Sequence, residues 1–92
     1  MVMGRQRRPV PKLLAKKLKR LRAERGWTQM QMAEKLGRVP SAPDGAMISR
    51  FERGEREPSL LVLHAYAKVV GVPVDLFIDD RFSVENFAKA IT

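Results

Sequence analysis

Cysteine is absent from this sequence. That excludes a disulfide framework, thiolate nucleophiles and cysteine metal ligands, and it fits a reducing compartment such as the cytoplasm. The single histidine, His64, stands among leucine and alanine. Without a second imidazole or a thiolate it does not make a metal site, so it reads as an ordinary helix residue. No apolar run approaches the roughly eighteen residues of a membrane span. The N-terminus is positively charged but has no apolar core behind it, so neither a membrane anchor nor a secretory signal is expected. Paired carboxylates, a nucleophile beside a base and a glycine-rich phosphate loop are also missing. No residues are left to assign to a reaction, and neither an enzyme nor a cofactor is expected.

What is present suffices for one small folded domain. Ninety-two residues, 45% of them hydrophobic, support a modest core, at a size where a second copy would help stability. The net charge is +8 and very unevenly spread. Residues 1–25 hold ten basic side chains against Glu24 alone, whereas residues 26–92 hold eight basic and nine acidic ones. Such an arm is an electrostatic footprint for a polyanion, because each cation that neutralises a phosphate releases a counterion. A solvated, solubilising tail is the competing reading.

The pattern along the chain is helical. Gly4, Pro9 and Pro11 interrupt residues 1–10, which are expected to be a flexible basic arm. From about Pro11, Leu14, Leu18 and Leu21 recur at helical spacing, with basic residues spread over the rest of the surface and Gly26 as the stop. The organising stretch is Gly26 to Gly54. Thr28 and Gly37 frame one short helix with Met32, Ala33 and Leu36 on its apolar face, and Asp44 and Gly54 frame another with Ile48 and Phe51 inward. Neither is long enough to stand alone. Pro58 is expected to open a fourth helix with Leu60, Leu63, Ala67 and Val70 on its core face. Val84, Phe87, Ala88 and Ile91, capped by Ser83, predict a short amphipathic helix that either covers the fourth or exchanges between chains.

Three motifs carry a family resemblance: T-Q-x-x-M-A-x-K-L-G (Thr28 to Gly37), I-S-R-F-E-R-G (Ile48 to Gly54) and E-P-S-L-x-x-L (Glu57 to Leu63), with A-K-V-V-G-V (Ala67 to Val72) beyond. In order and spacing they resemble the Cro and lambda-repressor (XRE) family of helix-turn-helix DNA-binding regulators, over roughly Leu18 to Phe77. The resemblance implies an all-α, five-helix lambda-repressor-like domain over residues 11–80, preceded by the basic arm and followed by a tail, 81–92. Val72 to Ile78 would supply the short fifth helix. One departure is plain: ten residues, Arg38 to Met47, separate Gly37 from Ile48, where the family usually has about four or five. The turn is elongated and holds two prolines, Pro40 and Pro43, and Gly45, so it reads as a structured excursion that sets Val39 against the core.

The resemblance also assigns roles. Gln29, at the positive end of the second helix, would meet a phosphate. Arg38 and Ser41 in the long turn, Arg53 at the end of the third helix, and Arg5, Arg7 and Arg8 in the arm are further backbone candidates. The third helix would be the recognition helix, its N-terminal part in the major groove. It opens with Gly45, Ala46 and Met47, which carry no strong donors or acceptors, so readout there reduces to apolar contact with a thymine methyl. Ser49 and Arg50 follow one turn on, and an arginine can clamp guanine O6 and N7. Trp27 reads as core packing rather than a stacking platform for bases. Arg22 and Glu52 match an ion pair that holds the recognition helix to the first.

The expected function is therefore that of a sequence-specific DNA-binding transcriptional regulator, a repressor occupying an operator as a homodimer on pseudo-palindromic double-stranded DNA. A protein interaction module on the same fold, an antitoxin or adaptor with only nonspecific DNA affinity, is the alternative. A basic membrane-surface peptide is a third reading, disfavoured by the well-formed domain.

Overall fold

The computed structural model describes residues 11–37 and 43–92. The described residues form six helices and no strand: α1 (Leu14–Arg25), α2 (Gln29–Leu36), α3 (Gly45–Glu52), α4 (Leu60–Val70), α5 (Asp75–Ile78) and α6 (Val84–Ile91). The all-α expectation holds, and the spacing of Val84, Phe87, Ala88 and Ile91 correctly marks a helix after the fifth. Arg5, Arg7, Arg8, Arg38, Val39 and Ser41 lie outside the described residues.

Each helix end has a chemical reason. Thr28 Oγ1 accepts from the Gln31 N–H (3.0 Å) while Gln31 Oε1 accepts from the Thr28 N–H (2.8 Å), a reciprocal capping box that starts α2. Asp44 starts α3 by accepting from the Met47 N–H at 2.9 Å, and Ser83 starts α6 by accepting from Asn86 at 3.0 Å. Gly26 stops α1 in the left-handed region (φ 68), which costs any residue with a Cβ strain.

Two starts differ from the sequence expectation. Helix α1 begins at Leu14, not Pro11, and no side chain nearby caps it. Asp80 does so from the other end of the chain: its carboxylate accepts from the N–H groups of Lys12 (2.8 Å) and Leu13 (3.1 Å), placing negative charge at the positive end of the helix. Pro58 does not open α4 either. It is buried just ahead of Ser59, whose hydroxyl accepts from the Val62 N–H at 3.2 Å and sets the first turn one residue later.

The core lies where α1 meets the other helices. Leu14, Leu18 and Leu21 of α1 pack with Met32 and Leu36, Ile48 and Phe51, Leu63 and Tyr66, Phe77 and Phe87. Phe77 meets Phe87 edge-on with centroids 4.9 Å apart and Tyr66 at 6.4 Å, so the aromatic cluster joins α4, α5 and α6. Of the expected face of α4, Leu63 and Ala67 are buried and Val70 packs on the core, but Leu60 is corrected. Leu60 is 76% exposed and Val62 only 3%, because a helix apolar nearly all round gives periodicity nothing to choose by. Helix α6 folds back within its own chain, but chiefly along α1 rather than over α4.

Lys17 departs furthest from expectation. It is fully buried, not spread on the surface with its basic neighbours. Its Nζ donates to the carbonyl oxygens of Leu76 (2.7 Å) and Asp79 (3.0 Å), closing the C-terminal end of α5, and lies 5.9 and 6.0 Å from the ring centroids of Phe82 and Phe87. Burial pushes its pKa down, while Asp80 and Asp79 oppose that shift.

Candidate nucleic-acid interface

The candidate interface is the outer side of the α2–α3 pair. Ile48 and Phe51 anchor α3 inward, which leaves Ala46 and Arg50 exposed and Met47 and Ser49 half-buried. The two helices meet closely at their starts. A Cβ on Gly45 would lie 3.5 Å from the Met30 backbone nitrogen, ordinary van der Waals distance, so the first residue of α3 faces the first turn of α2 with room for a methyl between them. In that turn the N–H groups of Gln29 and Met30 have no acceptor within the helix, which leaves a positive backbone end.

Behind this surface sits the ion pair that the sequence pointed to. Arg22 Nε and Nη2 donate to Glu52 Oε2 and Oε1 at 2.7 and 2.8 Å, a bidentate fork whose carboxylate side chain is 3% exposed. Arg22 Nη1 also donates to the Trp27 carbonyl at 2.9 Å. One guanidinium thus ties α1, the entry to α2 and α3 together. Hydrogen bonding to Glu52 raises the Arg22 pKa against the effect of burial. Tyr66 lies close enough to feel both charges, and its pKa is driven up by desolvation first and Glu52 second. Its hydroxyl has no hydrogen-bond partner among the described residues.

The remaining candidates have definite places. Gln29 is half-buried, and its Nε2 donates to Glu52 Oε1 at 3.3 Å, so its amide is oriented by the ion pair rather than loose in solvent. Arg50 is exposed, and its guanidinium has no partner among the described residues. Arg53 pairs with Glu55, Nε to Oε2 at 3.0 Å; both are well exposed, so a phosphate would displace the carboxylate at little cost. Trp27 packs against the core while half-exposed, with Lys35 Nζ 5.1 Å and Arg25 Cζ 5.9 Å from its ring centroid.

The structure brings Gln29, Ala46, Met47, Ser49, Arg50 and Arg53 onto the α2–α3 pair or its end. Two features escaped the sequence reading. Gln31 completes the Thr28 cap, and the T-x-x-Q spacing was a signal for it. Met30 is 69% exposed beside the start of α3, and its place off the face formed by Met32, Ala33 and Leu36 was the signal for it. Much of α1's positive charge is also engaged internally: Lys17 and Arg22 as described, Arg20 with Glu24 (2.8 Å) and Glu85 (3.1 Å), and Arg25 with the Ile91 carbonyl (3.0 Å). Lys12, Lys16 and Lys19 remain exposed.

Residues 18–77 match the protein family described as Helix-turn-helix, of the XRE type. Neither a curated protein nor a solved structure matches the chain. Among the described residues, no helix is long and apolar enough to cross a membrane.

Proposed function

The chain belongs to the XRE family of helix-turn-helix proteins, DNA-binding regulatory domains, and on that premise we propose that it is a sequence-specific transcriptional regulator, a repressor that occupies its operator. The observation that carries this reading is Arg50. It stands exposed and unpartnered among the described residues on the outer face of a helix whose inner face is clamped by Ile48, Phe51 and the Arg22–Glu52 fork. A guanidinium held on a fixed helix, with its hydrogen-bond donors uncommitted, suits bidentate recognition of guanine in the major groove. Ser49 lies beside it. Gln29, the α2 N-terminus, Arg53, the long turn through Arg38 and Ser41, and the arm through Arg5, Arg7 and Arg8 would hold the phosphates.

The protein is proposed to act in the cytoplasm as a homodimer. Two copies would present two α3 helices about 34 Å apart, one turn of DNA, and so require a pseudo-palindromic site. Leu60 and Leu61 of α4, 76% and 52% exposed, offer apolar surface for that contact.

Selection of bound duplexes from a random pool at near-physiological salt tests the proposal. An inverted repeat bound about a thousandfold or more above scrambled DNA is the expected result. Salt-sensitive binding without a consensus would leave DNA as a charge partner only. Arg50→Ala should relax preference at one base position per half-site, costing about 1–3 kcal/mol there. Equal weakening on every sequence would assign Arg50 to phosphate instead.

A further inference from the structure

The reading edge of the α2–α3 pair has an apolar component drawn from both helices. Met30 is the second residue of α2 and 69% exposed; the other large exposed hydrophobics among the described residues, Leu60, Leu61 and Ile78, belong to α4 and α5. Its backbone is firmly held. The Thr28–Gln31 capping box brackets it, and Gly45 faces it, near enough that a Cβ there would lie 3.6 Å from the Met30 Cα. Met30 therefore flanks the first turn of α3. That turn brings Gly45, Ala46 and Met47, none with a side-chain hydrogen-bonding group, while Asp44 ahead of them engages one carboxylate oxygen with the Met47 N–H.

The part of the helix pair that leads into the groove thus offers hydrocarbon and thioether before it offers the polar Ser49 and Arg50. On the floor of the major groove the apolar feature of a base edge is the pyrimidine C5-methyl, native to thymine and added in 5-methylcytosine. We propose that Met30 is a specificity-determining residue which, together with the exposed Ala46, packs on C5-methyl groups of the operator. The proposal rests on the DNA-regulator reading and continues the same interface. An unbranched, polarisable side chain with three rotatable bonds is suited to this, since it can settle over a methyl whose position varies with local DNA shape. Burying one methyl corresponds to about fourfold in affinity.

The test uses the full chain and its selected duplex, with thymines replaced by uracil one position at a time, which removes the methyl and nothing else. Binding is read by fluorescence anisotropy at fixed salt. At one or more positions per half-site the uracil duplex should bind about fourfold more weakly. Where the consensus carries cytosine at the reading edge, 5-methylcytosine should strengthen binding by a similar factor. The first result identifies thymine as the source of the methyl, the second 5-methylcytosine. Met30→Ala, whose fold is checked by its helical circular dichroism and melting temperature, should bind methylated and unmethylated forms equally at that position. If the wild type binds both forms alike throughout, the inference falls while the regulator reading stands. A methyl effect that survives unchanged in Met30→Ala removes Met30 from the reading surface. A selection that returns no consensus overturns both readings together.

Discussion

Helix α1 is gripped on two sides by charge, and the two grips are built differently. Towards α3, Arg22 and Glu52 join side chain to side chain. Towards α5 and the segment before α6, each charge bonds to backbone: the Lys17 ammonium to the carbonyls of Leu76 and Asp79, the Asp80 carboxylate to the N–H groups of Lys12 and Leu13. The first grip sets the candidate recognition helix, and the second closes the C-terminal part of the core. A side-chain pair puts two complementary letters into the sequence. A charge on backbone leaves one letter, because its partner is a group that every residue carries.

The largest expected effect comes from breaking the α3 grip on one side only. Glu52→Ala should cost about 3–5 kcal/mol in urea unfolding, since the Arg22 charge stays behind, mostly buried. Replacing both partners at once, Arg22→Met with Glu52→Leu, should recover most of that loss; no recovery would mean that the fork does more than neutralise itself. On the other side, Lys17→Met keeps the buried stem but strips two charge-assisted hydrogen bonds, an expected loss of about 2–3 kcal/mol. A loss as large as that of Glu52→Ala would erase the distinction between the grips.

Asp80→Asn should lower the melting temperature less than either, and its signature is pH dependence. Hydrogen bonds from the Lys12 and Leu13 amides hold the Asp80 carboxyl below the usual carboxylate range, and Arg81 holds Asp79 at about 2. A depressed carboxylate stabilises the fold above its ordinary value of 3.8 and loses that contribution as pH falls through its folded value. The wild type should therefore weaken more steeply than Asp80→Asn as the pH falls below the ordinary carboxylate value of 3.8. Smallest is Tyr66→Phe near the α3 grip. Removing a buried hydroxyl that no described residue satisfies should be neutral, or stabilising by up to about 1 kcal/mol, and a clear loss would place that hydroxyl within the ion-pair network.

The same contrast explains what could be read in advance. Thr28, Asp44 and Ser83 were legible as caps because a cap acts within three residues of its own position, and Glu52 was legible because its partner sits at a recognisable place in the family's pattern. Asp80 capping α1 from 67 and 68 residues away leaves no local trace, and neither does Lys17. Leu60 was misread as core in place of Val62 because Leu60, Leu61, Val62 and Leu63 are equally apolar, and only tertiary packing selects among them. Among interface residues, Arg50 stood out by charge, whereas Met30 was given no role, although it lies off the face formed by Met32, Ala33 and Leu36.

The long turn between α2 and α3 has a consequence for engineering. Gly37, at φ 72, ends one helix, and Asp44, bonded to the Met47 N–H, begins the next. Gly45 then faces the first turn of α2, near enough that an added Cβ would touch Met30. Stop, start and contact all lie within the described residues on either side of the connection. The two helices are accordingly framed independently of what joins them. A variant with a longer connection should therefore keep the helix content and the melting temperature of the wild type.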